Sequence, residues 1–153
     1  QSGEMVSFDT DMVGPYGFCA DISRAFVEGH KFNDEQKKLY SMAVDQINYN
    51  SDLIKDGLSF KEFVEKSWIL SEEYFPNRYS VMVHGIGLCD EWPAIRYPSD
   101  GGEQGGIFRE NMTITVESYI GKVGGKEGVK LEQQYLIRKN GLELMSNHPL
   151  EDI

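Results

Sequence analysis

The chain has 153 residues, 40% of them hydrophobic, and its 25 Asp and Glu outweigh 15 Lys and Arg to give a formal net charge of −10. That length and apolar content suit one domain with a real core, and the acidic balance argues against nucleic acid, whose phosphates require a basic surface. No apolar run approaches membrane-spanning length and no signal peptide is visible, so a cytoplasmic location without membrane contact is expected.

The chain opens Gln1-Ser2-Gly3 with no initiator Met, and its start reads as a cut through a longer chain. Residues 5–8 and 18–27 read as strands, with Gly14-Pro15-Tyr16-Gly17 as a loop signal between them. Asn33 opens a helix with Gln36 as its capping-box partner. Leu39, Ala43, Ile47 and Ile54, helped by Met42 and Leu53, repeat at helical spacing down to Gly57. Ser59 opens a second helix with an acidic partner, Glu62, and an apolar side of Phe60, Phe63, Val64, Ile69 and Leu70, before Pro76.

Residues 79–88 read as strand then turn, and 99–106 as a Gly-rich surface loop. Residues 112–120 predict a strand with Met112, Ile114 and Val116 on one face and Thr113, Thr115 and Glu117 on the other. A loop over 121–128 leads to a returning strand over 129–137, and Asn140-Gly141 makes a tight turn before Leu142-Glu143-Leu144. With no internal repeat, the order of strands, two helices, then strands predicts a single α+β domain over 1–153. Cys19 and Cys89 make no disulfide framework and are expected as buried thiols in a reducing compartment, although each lies near an acidic or imidazole candidate.

Carboxylates inside apolar strands call for a compensating charge. Asp9 and Asp11 are two apart and so share a strand face, and Asp21 lies in the next strand. Taken alone, these aspartates also fit Asx turns. Glu117 occupies the polar phase of its strand, and Glu132 the phase opposite Val129 and Leu131, so a hairpin could set the two side by side. Two close like charges are costly unless a cation lies between them, whereas on a solvent-facing sheet they need none. His84 by itself also fits a hydrogen-bonded core histidine. Together, Asp9, Asp11, Asp21, His84, Glu117 and Glu132 suit two hard or borderline divalent ions bridged by carboxylates, not a structural zinc site, which would want cysteines.

The order of these residues resembles the creatinase/aminopeptidase family with the pita-bread fold. The matching pieces are Phe8-Asp9, Cys19-Ala20-Asp21-Ile22-Ser23-Arg24, His84-Gly85-Ile86-Gly87-Leu88, the strand Asn111-Met112-Thr113-Ile114-Thr115-Val116-Glu117, and Val129-Lys130-Leu131-Glu132. Peptidases of that family space their two aspartates eleven apart and carry a second histidine seven residues after the first. Here Asp9 and Asp11 lie twelve and ten before Asp21, and Cys89-Asp90-Glu91-Trp92-Pro93 stands where that histidine is expected. His30 and His148 fall in no matching motif and read as surface residues.

Both departures resemble one branch, the pita-bread dimethylsulfoniopropionate (DMSP) lyases, through Phe8-Asp9-Thr10-Asp11, Gly14-Pro15-Tyr16-Gly17, Asp21-Ile22-Ser23-Arg24 and His84-Gly85-Ile86-Gly87-Leu88-Cys89-Asp90-Glu91-Trp92-Pro93. The resemblance implies metal ligation by the six residues above, Asp90 as general base and Tyr79 in contact with substrate. It implies two divalent ions, iron first with zinc, manganese or cobalt as alternatives, in a homodimer acting on a small molecule. It also implies that this chain is the second half of a longer catalytic domain, so that alone it would be weakly active and would expose a sheet edge and apolar surface. A sulfonium group favours aromatic faces, for which Tyr79, Trp92 and Tyr16 are available, though rings such as Trp92 and Tyr16 equally serve packing. Two other readings stay open: a dinuclear aminopeptidase or Xaa-Pro peptidase, and a non-catalytic binding module on the same scaffold.

Overall fold

A computed structural model describes residues 3–29 and 31–150. Strands β1 (Met5–Val13) and β2 (Cys19–Val27) form an antiparallel hairpin. Helices α1 (Asp34–Leu53) and α2 (Phe60–Lys66) follow. Strands β3 (Val81–Gly85), β4 (Ala94–Arg96), β5 (Thr113–Gly121), β6 (Gly128–Arg138) and β7 (Gly141–Leu144) make a second, wholly antiparallel sheet in the order β4-β3-β5-β6-β7. The architecture is α+β, as the sequence predicts.

Helix α1 starts where Asn33 caps it. The Asn33 side chain accepts from the Gln36 N–H at 2.9 Å, and the Gln36 side chain accepts from the Asn33 N–H at 2.9 Å, an arrangement contributing about 1 kcal/mol. It buries Leu39, Ala43 and Ile47 in one core with Val116, Ile120, Val129, Leu131 and Ile137 of the β5–β6 hairpin. Each such side chain stabilises the fold by roughly 1.5–3 kcal/mol.

Three expectations are corrected. The first strand runs on through Val13, and the loop after it is a single 3-10 turn over Pro15–Gly17 in which Tyr16 takes a positive φ of 62°. Helix α2 stops at Lys66, so Ile69 is exposed rather than on its apolar side, and the Glu62 carboxylate turns out to Lys66 at 2.6 Å instead of closing a capping box. Strand β4 escaped the sequence reading because three residues are too few to show a period.

Both faces of the β5–β6 hairpin are covered, one by α1 and the other by the β1–β2 hairpin, which packs on β6. In β1 and β2 the side chains facing inward are those of Ser7, Asp9 and Asp11 and of Asp21, Ser23 and Ala25, paired Ser7↔Ala25, Asp9↔Ser23 and Asp11↔Asp21. The outward set, including Val6, Phe8, Met12 and Phe26, forms an exposed apolar face. Buried Arg24 ties the layers together, donating to the Glu132 carbonyl at 2.6 Å, to Gln133 Oε1 at 2.5 Å and to the His148 carbonyl.

Candidate metal centre

The strand registers assemble the site. Glu117 of β5 and Glu132 of β6 are direct cross-strand partners, and His84 of β3 pairs with Thr115 two positions from Glu117 on the same face. The β1–β2 hairpin lays Asp21, Ser23 and Asp9 over that face. All of these residues but Asp9 are buried.

His84 is the hub. Its Nδ1 lies 3.0 Å from the Gly85 carbonyl, to which it can donate, and this leaves Nε2 facing the acids. From Nε2 the distances are 3.1 Å to Glu132 Oε1, 3.7 Å to Asp21 Oδ2 and 3.8 Å to Glu117 Oε1. Gly85 is required behind it: a Cβ there would meet the Trp92 carbonyl oxygen at 2.1 Å and the Pro93 ring at 2.8 Å. The loop after β3 is tied to the hairpin by the Cys19 N–H, which donates to the Gly87 carbonyl at 2.7 Å.

Two further residues of this face lie outside the sequence prediction. Lys130 is buried on β6 beside Glu132, with Nζ 2.6 Å from Glu117 Oε2, 3.4 Å from Asp9 Oδ2, 3.5 Å from Glu132 Oε2 and 4.6 Å from the centre of the Tyr79 ring. The signal was present, since Lys130 lies between the apolar Val129 and Leu131 and shares the phase of Glu132. The Ser23 hydroxyl bridges Asp9 Oδ1 and Glu132 Oε2, the latter at 3.0 Å. No sequence pattern singles out that serine.

The electrostatics follow from burial and crowding. Burial, then the charge of Glu132, pushes Asp21 up to about 9. Burial, again followed by Glu132, pushes Glu117 up to about 8. Burial opposes charging of His84, yet its bond to Glu132 and the charge of Glu117 outweigh that and raise it to about 9. Burial would raise Glu132 too, but the His84 bond and the Lys130 charge hold it down at about 2. Tyr79 is pushed up to about 12 by burial and by Glu117 and Glu91. The face therefore holds protons that a multivalent cation would replace.

The donor set fits divalent cations. Asp21 Oδ1 and Glu117 Oε1 are buried without a hydrogen-bond partner, a costly state for a carboxylate oxygen unless a cation takes it. Ligand atoms of Asp21, His84 and Glu132 lie within 4.8 Å of one another, and so do those of Asp11, Asp21 and Asp90. Five of the six predicted ligands thus enter either these groups or the His84 shell. Asp9 sits beside them, bound to Ser23 and Lys130.

The remaining candidates separate. Asp90 is exposed at the loop but reaches Asp11 and Asp21. Trp92 lines a cavity of about 350 Å³ with His84, Phe18, Leu88, Phe108 and Met112, so that His84 borders both the cavity and the acids. Tyr79 is not in that cavity and meets Lys130 instead. Tyr16 is almost wholly exposed at the hairpin tip. Cys19 is half-buried, and Cys89, expected as a buried thiol, is exposed in the loop and borders the cavity. His148 is exposed, whereas His30 lies outside the described residues.

Comparison with known proteins gives the family. The model of metallopeptidase family M24 matches residues 1–139. The dimethylsulfoniopropionate lyase DddP of Roseovarius nubinhibens is 37% identical over 99% of this chain and 34% of its own length. An uncharacterized peptidase of Methanocaldococcus jannaschii is 28% identical over 89% of the chain and 38% of its own length. Among solved structures, the prolidase from Pyrococcus horikoshii superposes with a TM-score of 0.81 at 26% identity, over the whole chain and 43% of that protein. The X-Pro aminopeptidase from Thermotoga maritima gives 0.76 at 25% identity, over 99% and 42%. The chain spans about a third of the length of the curated relatives it matches. No helix among the described residues is long and apolar enough to cross a membrane. The two-helix, antiparallel architecture is that of the pita-bread fold, and the chain belongs to metallopeptidase family M24.

Proposed function

We propose that this chain carries the metal centre of a lyase that splits dimethylsulfoniopropionate into dimethyl sulfide and acrylate. The observation that carries the reading is the position of Asp90. It lies six residues after His84, in the Cys89–Pro93 stretch that stands where the family's peptidases have a second histidine, and its carboxylate comes within 4.8 Å of Asp11 and Asp21. The 37% identity to the DddP lyase supports the same choice.

Divalent cations held by Asp9, Asp11, Asp21, His84, Glu117 and Glu132 would bind the substrate carboxylate and draw off the charge that develops when the adjacent carbon loses its proton. Iron is the first choice, with zinc, manganese or cobalt as alternatives. Asp90 takes that proton. The electron pair of the broken C–H bond forms the new carbon–carbon double bond, the C–S bond breaks, and its pair leaves with sulfur as neutral dimethyl sulfide. A neutral leaving group needs no proton donor. The exposed Trp92 ring at the cavity offers a face to the sulfonium. Tyr79 serves by holding Lys130 as well as through its own hydroxyl. The full-length protein acts as a cytoplasmic homodimer in this reading.

The peptidase alternative draws on the prolidase-like architecture and on the largely apolar cavity beside His84, which would suit a prolyl ring. Against it, an amide nitrogen leaves poorly without a proton donor, and His84 is the only imidazole in the centre among the described residues. A non-catalytic binding role would leave the ligand set without purpose. The deciding assay gives the full-length protein dimethylsulfoniopropionate and Xaa-Pro dipeptides in parallel. Dimethyl sulfide release that falls by about 10²–10⁴ in Asp90→Asn is expected. Release of free amino acid with no sulfide would transfer the chain to the peptidases.

A further inference from the structure

The ligand atoms fall into two groups that share Asp21: Asp21, His84 and Glu132 in one, and Asp11, Asp21 and Asp90 in the other. Asp21 faces both. Its Oδ2 lies 3.7 Å from His84 Nε2, whereas its Oδ1 is buried with no partner although the residue is only 3% exposed. The second group joins a pair from the β1–β2 hairpin to a residue of the loop after β3, and nothing local in the chain forces Asp90 onto that pair. Asp11 stands opposite Asp21 in the hairpin register, and Asp90 arrives on a loop held by the Cys19 N–H on the Gly87 carbonyl and by the Gly85 N–H on the Pro93 carbonyl. Three carboxylates crowd together there, and one of them keeps a buried oxygen with no hydrogen-bond partner, an arrangement that a cation among them would satisfy. Lys130 cannot serve there, because its ammonium is engaged by Glu117, Asp9 and Glu132.

We infer that Asp90 is a metal ligand as well as a base: without substrate it closes a cation position with Asp11 and Asp21, and the substrate carboxylate displaces it. The inference rests on the metal-centre reading proposed above and goes beyond it, since a residue that serves only as a base leaves metal uptake untouched when replaced. Displacement would also give the order of events. Asp90 becomes free to accept the proton from carbon only once the substrate carboxylate has taken its place.

The test is a titration of chelator-stripped full-length protein with Co²⁺ alone, followed by calorimetry and by the visible absorption of the bound ion. Wild type is expected to take up two equivalents. Asp90→Asn keeps one near its original affinity and binds the other more weakly by at least the roughly 10- to 100-fold that loss of a mere outer-shell partner costs. Asp90→Glu recovers part of the loss, and Glu91→Gln, which removes a neighbouring charge of the same loop, changes neither site. Two equivalents at wild-type affinity in Asp90→Asn would overturn the inference, as would an equal loss in Glu91→Gln, which would make the effect one of general charge. Wild type that binds no Co²⁺ sinks both this inference and the metal-centre reading. Wild type that binds two equivalents but releases no dimethyl sulfide sinks the lyase reading and leaves Asp90 as a ligand.

Discussion

The two faces of the β5–β6 hairpin are both buried, yet different forces hold them. Under α1, Ile114, Val116, Ile120, Val129, Leu131 and Ile137 pack into the aliphatic core. Under the β1–β2 hairpin, Glu117, Glu132 and Asp21 crowd around His84 and Lys130. One face stabilises the fold by removing apolar surface from water. The other is a store of electrostatic strain that costs stability in the free chain and suits a cation. The same antiparallel pairing builds both, because residues alternate across the sheet.

The largest effect should come from the apolar side. Leu131→Ala is expected to cost about 2–5 kcal/mol, read as a fall in Tm of roughly 2–4 °C for each kcal/mol. A loss below about 1 kcal/mol would mean that the helix-facing side is not a packed core. Next comes the cation. Adding Mn²⁺ to stripped protein should raise Tm progressively with concentration, by the equivalent of about 2.7 kcal/mol at 100 times Kd. A Tm that ignores the metal would remove the distinction between the faces.

The third effect is the pH dependence of the stripped chain. Asp21, Glu117 and His84 have raised values of about 9, 8 and 9. A group raised on folding contributes stability that is complete below its unfolded value and disappears as pH climbs through its folded one. Stability should therefore fall from about pH 4, the unfolded value of the two acids, to about pH 9, and more steeply above about 6.5, where His84 joins them. Glu132, lowered to about 2, acts oppositely, and its contribution is lost only as pH drops below about 4.5. Bound metal, by replacing the protons, should flatten the alkaline limb. Thermal melts with and without Mn²⁺ across that range check the sign. The smallest effect is expected from Glu117→Gln. It relieves like-charge crowding while losing the bond to Lys130, so stripped-protein stability should change by less than about 1 kcal/mol. The Mn²⁺-dependent rise in Tm should nevertheless weaken sharply.

These contrasts explain what the sequence made legible. Alternation in residues 112–120 and 129–137 revealed the strands, and with them the side-by-side placement of Glu117 and Glu132. The capping pair Asn33 and Gln36 located α1. The choice between solvent-facing acids and a buried cage lay beyond local pattern, because it depends on the β1–β2 hairpin folding across the polar face from more than a hundred residues away. Lys130 shares the strand phase of Glu132, but its burial depends on the same hairpin, whose Asp9 lies 121 residues away. The exposure of Cys89 and Ile69 depended on where a loop and a short helix end, which periodicity does not fix.

The most direct measurement is an anomalous-scattering map from crystals of Mn²⁺-loaded full-length protein. The account predicts two peaks that share Asp21, one beside His84 and Glu132 and the other beside Asp11. A map from a metal-replete sample with no peak on this face, and with the Lys130 ammonium alone neutralising the acids, would contradict it.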